Sequence, residues 1–173
     1  MTGITVPRIA PDSAITPSVI MVPMGRGAVA AAHEQLRTVG LGSCIAIILF
    51  APDAHLAALA HCMLPVRDDP YDAPCKYADA AVPALMAQLA AAGADAPFTA
   101  TLVGGASMFP GVPTAFMRDI PGQNIAEARA ALAAAAIPIR KEDVGGNDAR
   151  SVLVDPVTQR VLVRSLRGGD RWL

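Results

Sequence analysis

The stretch IAIILFAPDAHLAALAHCML, residues 45–64, decides the fold. It holds two apolar runs, residues 45–50 and 56–64, and the first is rich in isoleucine, which suits a strand. Between them lie residues 51–54, APDA, whose composition is typical of a turn. Two apolar strands joined by a short turn predict a β-hairpin.

Outward from this hairpin, the spacing of apolar residues predicts two helices. Residues 77–92 repeat apolar side chains every four positions, and Gly93 supplies a stop. The second helix is predicted over residues 124–136, where Asn124 is a candidate N-cap and Glu127 follows three residues later.

Further strands are predicted at residues 19–22, 98–103 and 137–144, and a last hairpin at residues 151–155 and 160–166. Residues 25–35 fit either a loop or a short helix, while residues 66–74 and 108–122 are expected to be loops. Hairpins and helices alternate without a regular βαβ repeat, which favours the α+β class.

The composition indicates a globular protein without a basic surface for nucleic acid and without a segment that could span a bilayer. The chain has 173 residues, 17% of them charged, and a net charge of −1 without a basic stripe. Its length fits one domain over residues 1–173, with residues 1–16 as a loose lead-in. The start of the chain has no basic segment followed by a long apolar run, so we expect a cytoplasmic protein.

The cysteines do not form a disulfide framework. Their number is odd, and Cys44, Cys62 and Cys75 contain no Cys-x-x-Cys pair. The three histidines, His33, His55 and His61, show no paired metal-ligand spacing either. We therefore expect no metal and no cofactor.

The predicted hairpin places a thiol beside an imidazole. If its centre lies between Pro52 and Asp53, Cys44 and His61 face each other, with Cβ atoms roughly 4.5–5.5 Å apart. A base at that position could activate the thiol as a nucleophile. The alternative is an ordinary buried cysteine and a histidine satisfied by a backbone carbonyl, and the opposed pair leaves the two readings near parity.

A turn with two glycines, Gly40 and Gly42, precedes Cys44. Such a turn can expose the sulfur and leave backbone N–H groups free to stabilise an oxyanion. His33 and His55 lie in expected turns or surface segments, so solvated side chains are predicted there.

Five blocks of the sequence together resemble the chemoreceptor glutamine deamidase (CheD) family. They are TVGLGSC at residues 38–44, AHCMLP at 60–65, KYAD at 76–79, GGASMF at 104–109 and GGNDARS at 145–151. The resemblance runs in order from about residue 19 to residue 163. It implies a three-layer α/β/β arrangement with a β-sheet sandwich and flanking helices.

The same resemblance implies a catalytic triad, with Cys44 as nucleophile, His61 as base and Thr38 as the residue that orients the imidazole. It implies conversion of glutamine to glutamate on the cytoplasmic parts of chemotaxis receptors, and hydrolysis of glutamyl methyl esters. It also implies binding to a chemotaxis phosphatase of the CheC type. A diverged member that retained only this binding would be a non-enzymatic regulator, which is the alternative to an enzyme. A third alternative is a redox-sensing thiol protein that uses Cys44 and Cys62.

Candidate oxyanion or substrate contacts come from the glycine turns: Ser43, Gly42, Gly105, Ser107, Asn147 and Arg150. The sequence supports two alternative roles for Arg150 equally: a charge-assisted contact to a docked substrate, and an internal ion pair. Two features depart from the family pattern: Gln123 stands where an arginine is common, and the loop at residues 109–122 is long and rich in proline. Both concern contacts to a substrate or regulator, and neither touches the triad.

Overall fold

The computed structural model describes residues 16–108 and 119–173, which form two five-stranded sheets and two helices. The strands are β1 Ser18–Met21, β2 Gly27–Ala30, β3 Glu34–Leu41, β4 Ile45–Ala51, β5 Leu56–Cys62, β6 Thr99–Gly104, β7 Ile139–Val144, β8 Arg150–Asp155, β9 Arg160–Ser165 and β10 Gly169–Trp172. The helices are α1 Ala78–Ala91 and α2 Ile120–Ala134.

The predicted hairpin forms the middle of one sheet, in the order β2-β5-β4-β6-β7. Every residue of β4 and β5 is buried, so both faces of the hairpin are covered. This explains why both strands are apolar along their whole length, without the alternation of a half-exposed strand. We call this the central sheet, and the other, in the order β1-β3-β8-β9-β10, the outer sheet.

The two faces of the central sheet pack against different layers. On one face, Ile47, Leu49 and Ala60 share a cluster with Leu85 of α1 and Leu132 of α2. On the other face, Ile48, Phe50 and Leu59 share a cluster with outer-sheet residues such as Val152 and Val163. Helices, central sheet and outer sheet therefore make three layers, which confirms the predicted α/β/β sandwich of the α+β class.

The register of the central hairpin differs from the prediction. His61 pairs with Ala46, and the last pair before the turn is Ala51 with Leu56. The connection has four residues because Pro52–Ala54 form a turn of 3-10 helix and His55 closes it in the left-handed conformation, with φ 50°. The predicted centre between Pro52 and Asp53 was wrong, because the pairs place it between Asp53 and Ala54, and with it the direct pairing of Cys44 with His61 was wrong.

The second helix begins earlier than predicted. It starts at Ile120, and the carboxylate of Asp119 caps it by accepting a hydrogen bond from the N–H of Gly122. The prediction of Asn124 as N-cap was therefore wrong, because Asn124 lies inside the helix and is completely buried. Of the predicted loop at residues 108–122, residues 109–118 lie outside the described part, as do residues 1–15 of the predicted lead-in.

Three strands were not predicted from the sequence. The ambiguous residues 25–35 contain β2 and the start of β3, and β10 follows the predicted last hairpin. β2 and β10 are four-residue edge strands without a strong apolar pattern, so periodicity gave little signal for them. β3 continues to Leu41 and includes Gly40, which the sequence assigned to a turn. Within the described residues, no helix has the length and apolar character needed to cross a bilayer.

Candidate active site

His61 lies between the two sheets, on β5, and reaches across the sandwich to the outer sheet. Its Nδ1 is 2.7 Å from the hydroxyl of Thr38 on β3. The same hydroxyl donates a hydrogen bond to the carbonyl oxygen of Val22, at 2.8 Å. A threonine hydroxyl has a single proton, so it must accept the hydrogen bond from His61 while it donates to Val22. The proton of a neutral His61 is thereby assigned to Nδ1.

This tautomer leaves the other ring nitrogen of His61 as a base. Nε2 is buried and has no hydrogen-bond partner within the described residues. Burial also lowers the pKa of His61 below its usual value, since a charged imidazole would lose hydration. At neutral pH His61 is therefore uncharged, with a free lone pair on Nε2.

Backbone contacts position the two strands that carry His61 and Thr38. The N–H of His61 donates to the carbonyl of Arg26, and its carbonyl accepts from the N–H of Gly25. Thr38 precedes a shift in the pairing of β3 with β8, and Gly40 within that shift has φ 76°. Such a positive φ favours glycine, so the bulge that closes β3 next to the site depends on the glycine turn seen in the sequence.

Cys44 immediately precedes β4 and shares a face of the central sheet with His61. Its carbonyl accepts a hydrogen bond from Gly105, which continues the β4–β6 pairing to Cys44. Ala46, two residues further on, is the direct partner of His61, so Cys44 is the diagonal neighbour of His61 on that face. Diagonal neighbours lie roughly 7–8 Å apart between Cα atoms, and their side chains can meet. The small side chain of Ala46 leaves room between them.

The thiol of Cys44 is largely buried, with 9% of the residue exposed. Burial raises the pKa of Cys44, and its own backbone N–H partly offsets that rise by stabilising the thiolate. With a raised thiol pKa and a lowered imidazole pKa, the resting pair is neutral. Such a pair requires the imidazole to remove the thiol proton as the sulfur attacks.

Most N–H groups in the predicted glycine turns already have partners. Gly42 donates to Gly40, Gly105 to Cys44, Ala106 to Gly42 and Ser107 to Gly146. The backbone amides of Gly42, Gly105 and Ser107 are thus engaged internally. The amides of Ser43 and Cys44 donate to no backbone carbonyl within residues 16–108 and 119–173, which makes them the turn's candidate oxyanion donors.

A glycine is required next to Cys44. Gly104 has φ 118°, and a Cβ atom at that position would lie 2.4 Å from the carbonyl oxygen of Cys44. This contact explains the first glycine of the GGASMF block, because only glycine lets β6 come so close to the backbone of Cys44.

One polar contact of the site was missed by the sequence reading. The side-chain amide nitrogen of Asn124, on α2, donates to the carbonyl of Ser43 at 2.9 Å and to that of Met63 at 3.2 Å. A signal was available, since Asn124, Ala128 and Leu132 recur every four residues and all three are buried. A polar residue on the buried stripe of a helix needs polar partners.

The turn with Asn147 and Arg150 lies beside the site through the hydrogen bond from Ser107 to Gly146. Asn147 is exposed. Arg150 is 9% exposed, forms an ion pair with Asp143 at 3.0 Å, and donates to the carbonyls of Gly145 and Asp148. These contacts favour the internal ion pair over the docking role for Arg150.

The other two cysteines lie on the opposite face of the central sheet. Cys62 and Cys75 are both buried in the cluster under the helices, whereas Cys44 belongs to the cluster between the sheets. This separation argues against a redox pair of Cys44 and Cys62. His33 and His55 are exposed, as predicted. Within the described ranges, no group of three or more His, Cys, Asp or Glu side chains is placed to hold a metal, and independence from metals and cofactors stays a prediction.

Comparisons with known proteins agree with the sequence resemblance. The family model described as "CheD chemotactic sensory transduction" matches residues 63–165, a segment that starts two residues after His61. The chain is 39% identical to the "Chemoreceptor glutamine deamidase CheD" of Thermotoga maritima over 135 residues, 78% of this chain and 83% of the relative. Proteins of the same name from Halalkalibacterium halodurans and Bacillus licheniformis are 34% identical, over 80% of this chain and 88% of the relative, and 33% identical, over 88% and 93%.

Proposed function

The chain belongs to the CheD family, and we propose that it is a protein-glutamine deamidase acting on the cytoplasmic parts of chemotaxis receptors. The observation that carries this proposal is the geometry of His61. Its Nδ1–H is held by Thr38, and its Nε2 has no hydrogen-bond partner within the described residues, while Cys44 is its diagonal neighbour on the same face of the sheet. This is the arrangement that an activated cysteine needs, with a base oriented by a third group.

The first half-reaction forms a thioester. The lone pair of His61 Nε2 takes the Cys44 thiol proton while Sγ attacks the side-chain carbonyl carbon of the substrate glutamine. The resulting tetrahedral oxyanion receives hydrogen bonds from the N–H groups of Ser43 and Cys44. The imidazolium then returns its proton to the leaving nitrogen, the C–N bond breaks, and ammonia departs from a γ-glutamyl thioester on Cys44.

The second half-reaction releases glutamate. A water molecule enters in place of ammonia, and the Nε2 lone pair of His61 removes its proton as the oxygen attacks the thioester carbonyl. Collapse of the second tetrahedral intermediate breaks the C–S bond, and the proton on Nε2 returns to sulfur. A glutamyl methyl ester would follow the same course with methanol as the leaving group.

Thr38 has no proton to give in this scheme, because its hydroxyl proton is used by Val22. It acts as an acceptor that holds Nδ1–H and so keeps the imidazole turned with Nε2 toward the thiol. When the imidazolium forms, both ring nitrogens carry protons and the Thr38 oxygen still has its donor. The site therefore needs no proton rearrangement between the two half-reactions.

Two of the candidate contacts outside the triad are available to a substrate. Among the candidate contacts, Ser43 has a backbone amide available, and the exposed Asn147 lies in the turn next to Ser107. Binding of a CheC-type phosphatase stays a prediction, and no contact among the described residues favours a purely non-enzymatic role.

The test is co-expression with a chemotaxis receptor, followed by peptide mass spectrometry of the receptor and an assay of released ammonia. We expect the wild type to convert specific glutamines to glutamates and Cys44→Ala to leave them unchanged. Cys62→Ala is the matched control, because it removes a buried thiol from the opposite face of the same sheet. Full activity in Cys44→Ala, or its loss in Cys62→Ala with an intact fold, would refute the assignment.

A further inference from the structure

The buried amide of Asn124 joins the two halves of the candidate active site. Its Nδ2 donates to the carbonyl of Ser43, one residue before the nucleophile, and to that of Met63, two residues after the base. Ser43 and Met63 are carried by different segments, and Asn124 comes from α2 in a third. One side chain therefore contacts both the turn before Cys44 and the segment after His61.

The bond to Ser43 also determines where the N–H of Cys44 points. In a trans peptide, the C=O of one residue and the N–H of the next point in opposite directions. Because the carbonyl of Ser43 is turned inward to Asn124, the N–H of Cys44 is turned away from α2. The peptide before it is held in the same manner, since Gly42 accepts from Ala106 and the N–H of Ser43 points the other way.

Asn124 occupies this place at an energetic cost. The residue is 0% exposed, and its Oδ1 is a buried acceptor without a partner within the described residues. A buried polar atom without a hydrogen bond destabilises the folded state, and an apolar residue on this face of α2 would avoid that cost. The orphan oxygen indicates that the side chain is present for its two donated hydrogen bonds.

We infer that Asn124 is a positioning residue for the oxyanion site, which it holds ready by fixing the direction of the Cys44 N–H. The inference rests on the proposed deamidase function. Its role is confined to steps that develop an oxyanion, since Asn124 contacts neither the Cys44 sulfur nor the His61 ring in the hydrogen bonds of the site.

The experiment compares two reactions of Cys44 in the full-length protein. Deamidation of a receptor fragment passes through a tetrahedral oxyanion, whereas alkylation by iodoacetamide displaces iodide from a saturated carbon and forms no oxyanion. In Asn124→Ala we expect kcat for deamidation to fall about 10- to 100-fold, somewhat less than the 10²–10³ lost when an oxyanion donor is removed outright. KM and the rate of Cys44 alkylation should stay within about twofold of wild type, because binding and thiol activation do not use the oxyanion donors.

Two further variants distinguish a loss of positioning from a general disturbance of the fold. Asn124→Asp preserves the shape, and burial would keep its carboxyl protonated with a single O–H donor, so its kcat should lie between those of wild type and Asn124→Ala. Glu127→Ala removes a side chain from the same helix without touching the site, and its kcat should match wild type.

The outcomes separate this inference from the proposed function. Unchanged kcat in Asn124→Ala, an equal fall of deamidation and alkylation, or an Asn124→Asp variant no better than Asn124→Ala would each overturn the positioning role. If instead the wild type releases no ammonia from any receptor fragment, the proposed function fails, whatever Asn124 does.

Discussion

The two faces of the β4–β5 hairpin differ in one decisive respect. The face under α1 and α2 is entirely apolar apart from Cys62, and its side chains complete a helix-on-sheet core. The face toward the outer sheet is also buried, but it holds His61 opposite Ala46 with Thr38 across the interface. Both faces bury a cysteine, and among the described residues Cys44 is the one that shares its face with an imidazole. Burial alone makes a cysteine inert, and a polar pair built into the sheet interface is what makes Cys44 a candidate nucleophile.

The largest expected effect is on the free energy of unfolding, and it comes from the face under α1 and α2. Leu85→Ala removes a fully buried side chain of α1 and should lower the free energy of unfolding by about 2–5 kcal/mol, the usual cost of such a cavity. Chemical denaturation measures this change. The turnover per folded molecule should stay near the wild-type value, and a comparable fall in kcat would mean that the two faces are not independent.

Thr38 tests the other face of the hairpin, which packs against the outer sheet. Thr38→Val keeps the shape but removes the acceptor for His61 Nδ1–H, so the ring loses its fixed tautomer and orientation. We expect kcat to fall about 10- to 100-fold, less than the roughly 10²–10⁴ that general acid–base catalysis supplies, because the imidazole itself remains. Thr38→Ser keeps the hydroxyl and should recover most of the activity. An unchanged kcat with a raised KM in Thr38→Val would instead place Thr38 in substrate recognition.

The smallest effect is the pH dependence, in which the two faces again differ. Burial lowers the pKa of His61 in the folded protein, whereas an unfolded histidine titrates near pH ~6.5. The unfolded chain then binds more protons in this interval, so stability falls as the pH drops from about 6.5 toward the folded pKa. The acid limb of deamidation, which needs neutral His61, should likewise lie below about pH 6.5.

On the alkaline side both faces contribute. Burial raises the pKa values of Cys44 and Cys62, so stability should decrease as the pH rises through the ordinary thiol range of about 8.5. Denaturation curves across pH would measure both losses, and Cys62→Ala should reduce only the alkaline one. An acid limb of activity above pH 7 would contradict a His61 whose pKa is lowered by burial.

The sequence predicted those parts of the fold that have strong local patterns. The hairpin, α1 and the candidate residues Cys44, His61 and Thr38 came from apolar runs, helical spacing and family motifs. The hairpin register was missed, because the conformation of His55 in the four-residue turn is not encoded in composition. The diagonal placement of Cys44 and His61 depends on that turn, so the direct pairing inferred from the sequence was right in face and wrong in position.

The hydrogen-bond partners of Asn124 could not be identified from the local sequence pattern. An asparagine ahead of an alanine-rich helix fits an N-cap, and the competing cap, Asp119, differs from it only through the position of the helix start. The partners of Asn124 are 81 and 61 residues away in sequence, and only the packing of α2 on the central sheet brings them together. Long-range polar contacts of this kind carry little signal in a single sequence.

The most direct test of the account is the protonation state of the His61 ring in the free protein at neutral pH. Long-range ¹H–¹⁵N correlation spectra distinguish the two neutral tautomers and the imidazolium, and His61→Gln identifies the resonances by their disappearance. We predict a neutral ring with the proton on Nδ1 and an unprotonated Nε2. A proton on Nε2, in either the other tautomer or the imidazolium, would contradict the assignment of His61 as the base that activates Cys44.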